Sequence, residues 1–210
     1  MNSQFESLCR RAVRCRLCFQ NHSLSLTAPT IDIAQPRWVG PKYWHAKRRV
    51  LVLMLNPGSG DSRVDDADGN ARRLIRAFAT GRGTLRKVLD HFQKDAANWG
   101  KGRFLDFYSA DLGLDVKKLA FANIAWCATR GNRYPRKMLD TCFQRHTTEL
   151  LRILNPNVVL LSGIGVSKFR DQISRVLPGA RLILTFHFAH RKGRQAWSRE
   201  SARVRRALDC

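Results

Sequence analysis

The sequence predicts a single α/β domain built on a central four-stranded, mainly parallel sheet flanked by helices. Three observations predict it. Four short apolar segments, Val50 to Leu55, Leu119 to Ala125 (broken only by Asn123), Val158 to Leu161 and Leu182 to Phe186, have strand length and are rich in β-branched or large apolar residues. Helical patterns separate them, and strand alternating with helix is the signature of parallel pairing. Each strand is followed by an unusual polar or glycine-rich stretch, and open α/β sheets bind ligands outside the carboxyl ends of their strands.

The elements follow in order. Cys15 to Trp44, with its scattered prolines, reads as irregular structure wrapped on the core. After the first strand comes Asn56-Pro57-Gly58-Ser59-Gly60, and before the second strand lie helices around Asn70 to Phe78 and Thr84 to Phe92. The clearest helical pattern is Arg136 to Leu154, where Met138, Leu139, Cys142, Phe143, Leu150, Leu151 and Leu154 recur at helical spacing behind Pro135, a residue suited to a first turn. Gly163-Ile164-Gly165 follows the third strand, and His187 to Arg194 follows the fourth. No internal repeat, low-complexity tract or convincing linker interrupts this order. Residues 1–210 are therefore read as one domain, with a segment of about 9–45 packed on it.

A chain of 210 residues that is 44 % hydrophobic, with 14 Gly and 7 Pro, can bury a full core, which excludes collagen and wholesale disorder. Its 38 Lys and Arg against 16 Asp and Glu leave a net charge of +22. The surplus is spread along the chain, with nine basic against two acidic residues in 1–50 and seven against two in 187–210. A folded domain so charged is expected to meet a polyanion, because neutralised phosphates release condensed counterions and so drive binding. A merely soluble basic surface is the plainer alternative.

The longest uninterrupted apolar run, Val50 to Leu55, is far short of the roughly 20 residues a membrane span needs, and the start MNSQFESL has no signal-peptide apolar region. The expected location is the cytoplasm, in association with the nucleoid. That compartment is reducing, so six cysteines are better read as metal ligands, catalytic thiols or core residues than as a disulfide framework.

Cys15-Arg16-Leu17-Cys18 is a CxxC pair, and Cys127 and Cys142 form a second pair around the Gly131-Asn132-Arg133-Tyr134-Pro135 turn. Four thiolates can close a tetrahedral zinc site or hold a four-iron cluster. Free cysteines also fill cores, and Cys142 on an apolar helix face fits that use. The CxxC does not, because a short basic loop gives two thiols no packing reason to sit at chelating spacing.

Asn56 stands where a strand ends abruptly, and Pro57 and Gly58 redirect the backbone so that its amides can face a bound group. Asn-Pro-Gly is also ordinary turn chemistry. His187 and His190 head a cationic loop with Arg191, Lys192 and Arg194, where a neutral imidazole can donate to a developing anion. The acidic stretch Asp61, Asp65, Asp66, Asp68 is not an EF-hand loop, since Ala77 stands at the twelfth position from Asp66. It reads as a loop that caps the next helix.

Taken in order, these motifs resemble the uracil-DNA glycosylase superfamily, closest to its iron-sulfur family 4 branch. The resemblance spans about Cys15 to Arg191. It rests on the CxxC, the strand ending in a Pro-Gly loop, Asn123-Ile124-Ala125-Trp126-Cys127 followed by Asn132-Arg133-Tyr134-Pro135, then Cys142, Leu150 to Gly163, and the strand ending at His187. It implies a four-iron four-sulfur cluster of structural role on Cys15, Cys18, Cys127 and Cys142, with zinc the lesser candidate and Cys9 and Cys210 left over. It also implies that Asn123 reads the uracil edge, that His187 acts in the chemical step, and that Phe78, before Gly81-Arg82-Gly83, is a counterpart of the aromatic that stacks on the base; Phe78 equally reads as the buried end of a helix.

Two motifs depart from the branch. Asn56-Pro57-Gly58 is similar to the asparagine version of the single-strand-selective and mismatch-specific glycosylases, and His187-Phe188-Ala189 replaces a His-Pro-Ser motif. The implied activity is that of a monofunctional DNA-repair glycosylase, expected to be a monomer acting on DNA that contains uracil or a related deaminated base. In it Asn56 and His187 would serve the chemistry, Asn123, Phe78 and Gly58 the base, and Arg191, Lys192 and Arg194 the DNA backbone. The alternative is a non-catalytic iron-sulfur protein that holds damaged or abasic DNA.

Overall fold

The computed structural model describes residues 2–20, 33–57, 67–129, 132–190 and 193–209. Four strands, β1 (Val50–Met54), β2 (Leu119–Asn123), β3 (Val158–Ser162) and β4 (Arg181–Thr185), form one all-parallel sheet in the order β2-β1-β3-β4. The helices are α1 (Ser3–Val13), α2 (Leu17–Gln20), α3 (Ala67–Ala79), α4 (Leu85–Asp95), α5 (Arg103–Leu105), α6 (Arg136–Cys142), α7 (Thr148–Leu154), α8 (Ile164–Ser167), α9 (Arg170–Val176) and α10 (Arg194–Asp209). No described helix is long and apolar enough to cross a membrane.

Every residue of β1, β2 and β3 is buried, which is why these strands read as unbroken apolar runs rather than alternating ones. β4 is a true edge: Arg181 and Leu184 are exposed while Ile183 and Thr185 face inward. β2 ends the sheet on the other side, yet it is covered. Trp38 C=O accepts from Phe121 N–H (2.7 Å), Gly40 N–H donates to Leu119 C=O (2.8 Å), and the Trp38 ring stacks on Phe121 at 5.0 Å. The segment around Val39 thus pairs antiparallel with Ala120 and closes an edge that would otherwise invite pairing with other chains.

In the N-terminal segment the described residues on either side of 21–32 are more ordered than the prolines suggest. Residues 9–13 belong to α1, which Asn2 caps by accepting from Phe5 N–H (3.1 Å) and which packs on α7 and α3. Thr84 caps α4 through Lys87 N–H (3.4 Å). The predicted Arg136–Leu154 helix is interrupted at Phe143–Thr147 by a π-helical turn, and a second such turn occupies Asp106–Asp111. Arg194, expected in a loop, opens α10, and that helix packs on β4.

The strand order fixes where a ligand belongs. The connection from β1 leads outward to β2 and the one from β3 leads outward to β4, so the chain reverses direction between β1 and β3. In open α/β sheets loops leaving such a point splay apart, so a ligand is expected at the carboxyl edge between β1 and β3.

Candidate functional site

β1 delivers Asn56 to the carboxyl edge and β2 delivers Asn123 as its last residue, paired with Met54. Asn123 is buried at 2 % exposure, so its carboxamide must find partners. It does so in one orientation: the nitrogen donates to Asn56 C=O (3.1 Å) and the oxygen accepts from Arg37 Nε (2.9 Å). Among the described residues this leaves one N–H and one lone pair of the amide. The Asn56 side chain, half-buried, donates through Nδ2 to Asn132 Oδ1 at 2.5 Å. Asn132 holds a left-handed conformation (φ 57°), which asparagine tolerates and which turns its side chain back to β1.

Two further residues complete this cluster, Arg37, which the sequence did not single out, and Tyr134 of the Asn132–Pro135 turn. Arg37 donates through Nη2 to Pro57 C=O (3.0 Å), and its guanidinium lies over the rings of Phe92 (4.9 Å) and Trp99 (5.3 Å). Tyr134 donates to Cys127 C=O (3.3 Å), and burial raises its pKa against the opposing pull of Thr129, Asn56 and Arg37. Arg37 comes from the segment clamped on β2, and the sequence carries no local signal for its arrival here.

His187 stands across the next strand end. Gly163, at φ 96° and with its Cβ position 3.3 Å from His187 Cβ, lets the β3 terminus turn sharply and brings the imidazole against it. Leu55, the residue before Asn56, packs on Gly165 two residues further on. The segments that carry Asn56 and His187 thus flank one short turn. Glu200 of α10 fixes the start of the His187 loop by accepting from Phe186 N–H (3.0 Å) and from Arg203 Nη2 (2.9 Å).

His187 Nδ1 accepts from Ala189 N–H at 3.2 Å, which leaves the proton on Nε2. Burial first, and His190 second, hold its pKa below the ordinary imidazole value, so the ring is a neutral donor at neutral pH. His190 itself is exposed and closes the turn through its own N–H to His187 C=O (2.7 Å).

Phe78 does not share this edge. It is fully buried at the end of α3, with Arg10 of α1 lying 4.5 Å over its ring and bonded to its carbonyl (3.1 Å), so no face of it is open to a base. That placement removes it as a stacking platform. Gly58, Asp61, Arg191, Lys192 and Cys210 lie outside the described residues. Arg194 is exposed in the first turn of α10.

The four cysteines of the two pairs converge. Cys15, Cys18, Cys127 and Cys142 all line one small chamber of about 10 Å³, together with Trp126, Arg145 and His146. All four are free thiols, and Cys9 is a fifth, buried in α1 where burial pushes its pKa up. Trp126 N–H donates to Cys142 Sγ at 3.2 Å. A hydrogen bond from Cys127 lowers the Cys18 pKa and raises that of Cys127, while burial pushes Cys142 up to about 12. Among the described residues no three His, Cys, Asp or Glu side chains stand in a ready-made chelating arrangement. The donor chemistry nonetheless fits a soft metal group: four thiols gathered in one chamber, a backbone N–H aimed at sulfur, and a cation in the wall.

No protein-family model matches the chain, and no curated protein matches its sequence.

Proposed function

We propose that the protein hydrolyses the N-glycosidic bond of uracil, or of a related deaminated base, in DNA and leaves an abasic site. The observation that supports this most is that a buried Asn123 carboxamide bonded to Asn56 and a neutral His187 imidazole packed against Gly163 stand on the same carboxyl edge of the sheet.

In this reading DNA held by the basic surface extrudes a nucleotide toward that edge. Asn123 uses its remaining N–H and lone pair on the uracil edge, and the mismatch of donors and acceptors rejects cytosine. The bond between C1′ and the base breaks with its electron pair leaving on uracil, whose oxygen takes a hydrogen bond from His187 Nε2–H. Asn56 orients a water whose oxygen joins C1′ as the sugar develops oxocarbenium character. An amide is no strong base, so the water's proton passes to solvent. Arg37 acts through Asn123, holding its carboxamide in the reading orientation.

Cys15, Cys18, Cys127 and Cys142 would hold a four-iron four-sulfur cluster between them, their side chains moving apart to admit it, since the chamber of about 10 Å³ that they line has room for no more than about one water. Bound there, such a group would supply structural support, with the four cysteines joining the CxxC loop to the segment after β2 and to the end of α6. Anaerobically purified protein is expected to be brown and to contain iron and acid-labile sulfide. Serine at any of the four positions should lower the iron content and the melting temperature, whereas Cys9→Ser should leave iron unchanged. Zinc in place of iron, or no metal in the native protein, refutes the cluster.

Single-turnover release of free uracil from single- and double-stranded oligonucleotides tests the activity. Loss of one preorganised donor typically costs about a hundredfold to a thousandfold, so His187→Ala and Asn56→Ala should each lose that much while DNA affinity barely changes. Asn123→Asp should impair uracil recognition, because a carboxylate cannot donate. Wild-type rates in both alanine variants refute the mechanism. The Asn56 Nδ2 bond to Asn132 and the engaged Asn123 amide favour a second reading, a non-catalytic protein holding damaged or abasic DNA. No release of any deaminated base by metal-loaded wild type, with abasic DNA still bound tightly, selects it.

A further inference from the structure

Beside the His187 loop lies a cavity of about 670 Å³ that none of the steps above uses. Phe107, Phe188 and Trp197 form its apolar wall, and His190 and Gly193 continue it. Phe188 joins it to the candidate site: one side of its ring stacks on His187 at 4.4 Å and 30°, and the same side chain lines the cavity. The wall is held rigidly. Phe188 meets Phe104 edge-on at 5.2 Å, and Trp197 meets Phe107 at 4.9 Å and Phe186 at 5.6 Å, both edge-on.

We propose that this cavity receives the base of a nucleotide adjacent in the strand to the one extruded toward His187, and that the protein is thereby built for single-stranded DNA. The proposal rests on the reading that DNA is the polyanion bound, but not on base excision. Four lines of chemistry support it. An aromatic wall offers a π-face to any base, and such stacking is sequence-tolerant. Its volume lies in the range of sites that enclose small organic ligands, about 300–1,000 Å³. Arg103 and Arg194, both exposed, stand in its lining and can take the phosphates on either side of the base. The carboxylates of Asp106 and Asp111 also line it; they repel a phosphate and accept from the amino group of a base, so base and backbone sort themselves between interior and mouth. In a duplex the same base is stacked and paired, and drawing it in carries an unpairing penalty that a single strand escapes.

The test uses uracil-free DNA, so that it is separable from excision. Full-length protein is titrated with three end-labelled probes of equal length: a mixed-sequence single strand, its blunt duplex, and a strand of abasic tetrahydrofuran units. Wild type should bind the base-bearing single strand on the order of ten- to a hundredfold more tightly than the other two. Trp197→Ala removes part of the wall. Gly193→Phe fills the cavity from a position where an added Cβ meets nothing within 4 Å, so it removes no packing. Both variants should lose most of the preference for the base-bearing strand while keeping wild-type affinity for the base-free strand. Equal wild-type affinity for base-bearing and base-free strands overturns the proposal, as does an unchanged preference in Gly193→Phe with native circular dichroism. Preference lost as expected in a protein that releases no uracil refutes the enzyme and leaves the base pocket standing.

Discussion

His187 carries a sharp consequence at the scale of one residue. Its pKa is held below about 6.5 by burial and by His190. The unfolded chain therefore takes up a proton near pH 6.5 that the folded chain accepts only at lower pH. The stabilising contribution of the neutral ring is full above about pH 6.5 and is lost as pH falls from there toward the folded value. Protonated Nδ1 also cannot accept from Ala189 N–H, so the turn loses a bond. Urea midpoints measured down the pH scale for wild type and His187→Gln should converge as pH falls below about 6.5. A wild-type advantage that grows over that interval contradicts the assignment. His187, Asn56 and Asn123 were legible because each follows or ends an apolar run. Arg37 was not, because a clamp on the far edge brings it in and no local pattern encodes that journey, whereas Tyr134 sits in a turn the sequence marks without marking the side chain's partners. Phe78 misled for a related reason: its position before a glycine-rich turn says nothing about Arg10 closing over it.

Among the elements, the clamp over β2 is the feature most exposed to test. Gly40 N–H bonds Leu119 C=O, and a Cβ there would stand 2.2 Å from Lys117 O and 2.5 Å from Lys117 C. Both are backbone atoms, so they cannot swing aside as a side chain would. Gly40→Ala should destabilise the fold by about 1–3 kcal/mol or more. Gly69→Ala is the matched control, since that position is exposed in α3 and an added Cβ meets nothing within 4 Å; it should be neutral or gain up to about 1 kcal/mol of helix propensity. Equal urea midpoints for Gly40→Ala and wild type would show that the clamp yields freely. The four strand centres were readable because buried parallel strands are nearly pure apolar runs, and their ends were off by one or two residues where the chain keeps bonding after the strand, as Ile124 and Ala125 do to Met54 and Leu55. Helix α10 was not readable: Ser201, Val204 and Leu208 are its buried stripe among many arginines, and buried Glu200 breaks even that. The π-helical turn at Phe143–Thr147 was equally hidden, since one extra residue in a turn barely disturbs a 3.6-residue pattern.

Charge acts at the scale of the whole molecule. A surplus of +22 is far more than the described ion pairs use, and those pairs are mostly short-range and solvent-exposed, such as Arg86 with Asp90 and Arg136 with Asp140. The surplus therefore remains as a field around the protein that favours polyanions, and the proposed DNA partner makes it testable. The logarithm of DNA affinity should fall linearly with the logarithm of salt concentration, with a slope of about −0.9 for each phosphate neutralised on duplex DNA and about −0.7 on a single strand. Arg191, Lys192 and Arg194 follow the His187 turn, and Arg194 adds its charge to the N-terminus of α10, whose backbone dipole has the same sign. Replacing all three with Ala should make the slope shallower by that amount for each phosphate the variant no longer neutralises. It should also weaken uracil-containing and uracil-free strands by the same factor, because side chains that grip the backbone carry no base information. Fluorescence anisotropy across a salt series, run on wild type and the triple variant, reads both quantities. An unchanged slope together with unchanged affinity would take this segment off the DNA path and leave the field to the arginines spread over the rest of the surface. A weakening confined to uracil-containing strands would instead place these side chains on the base.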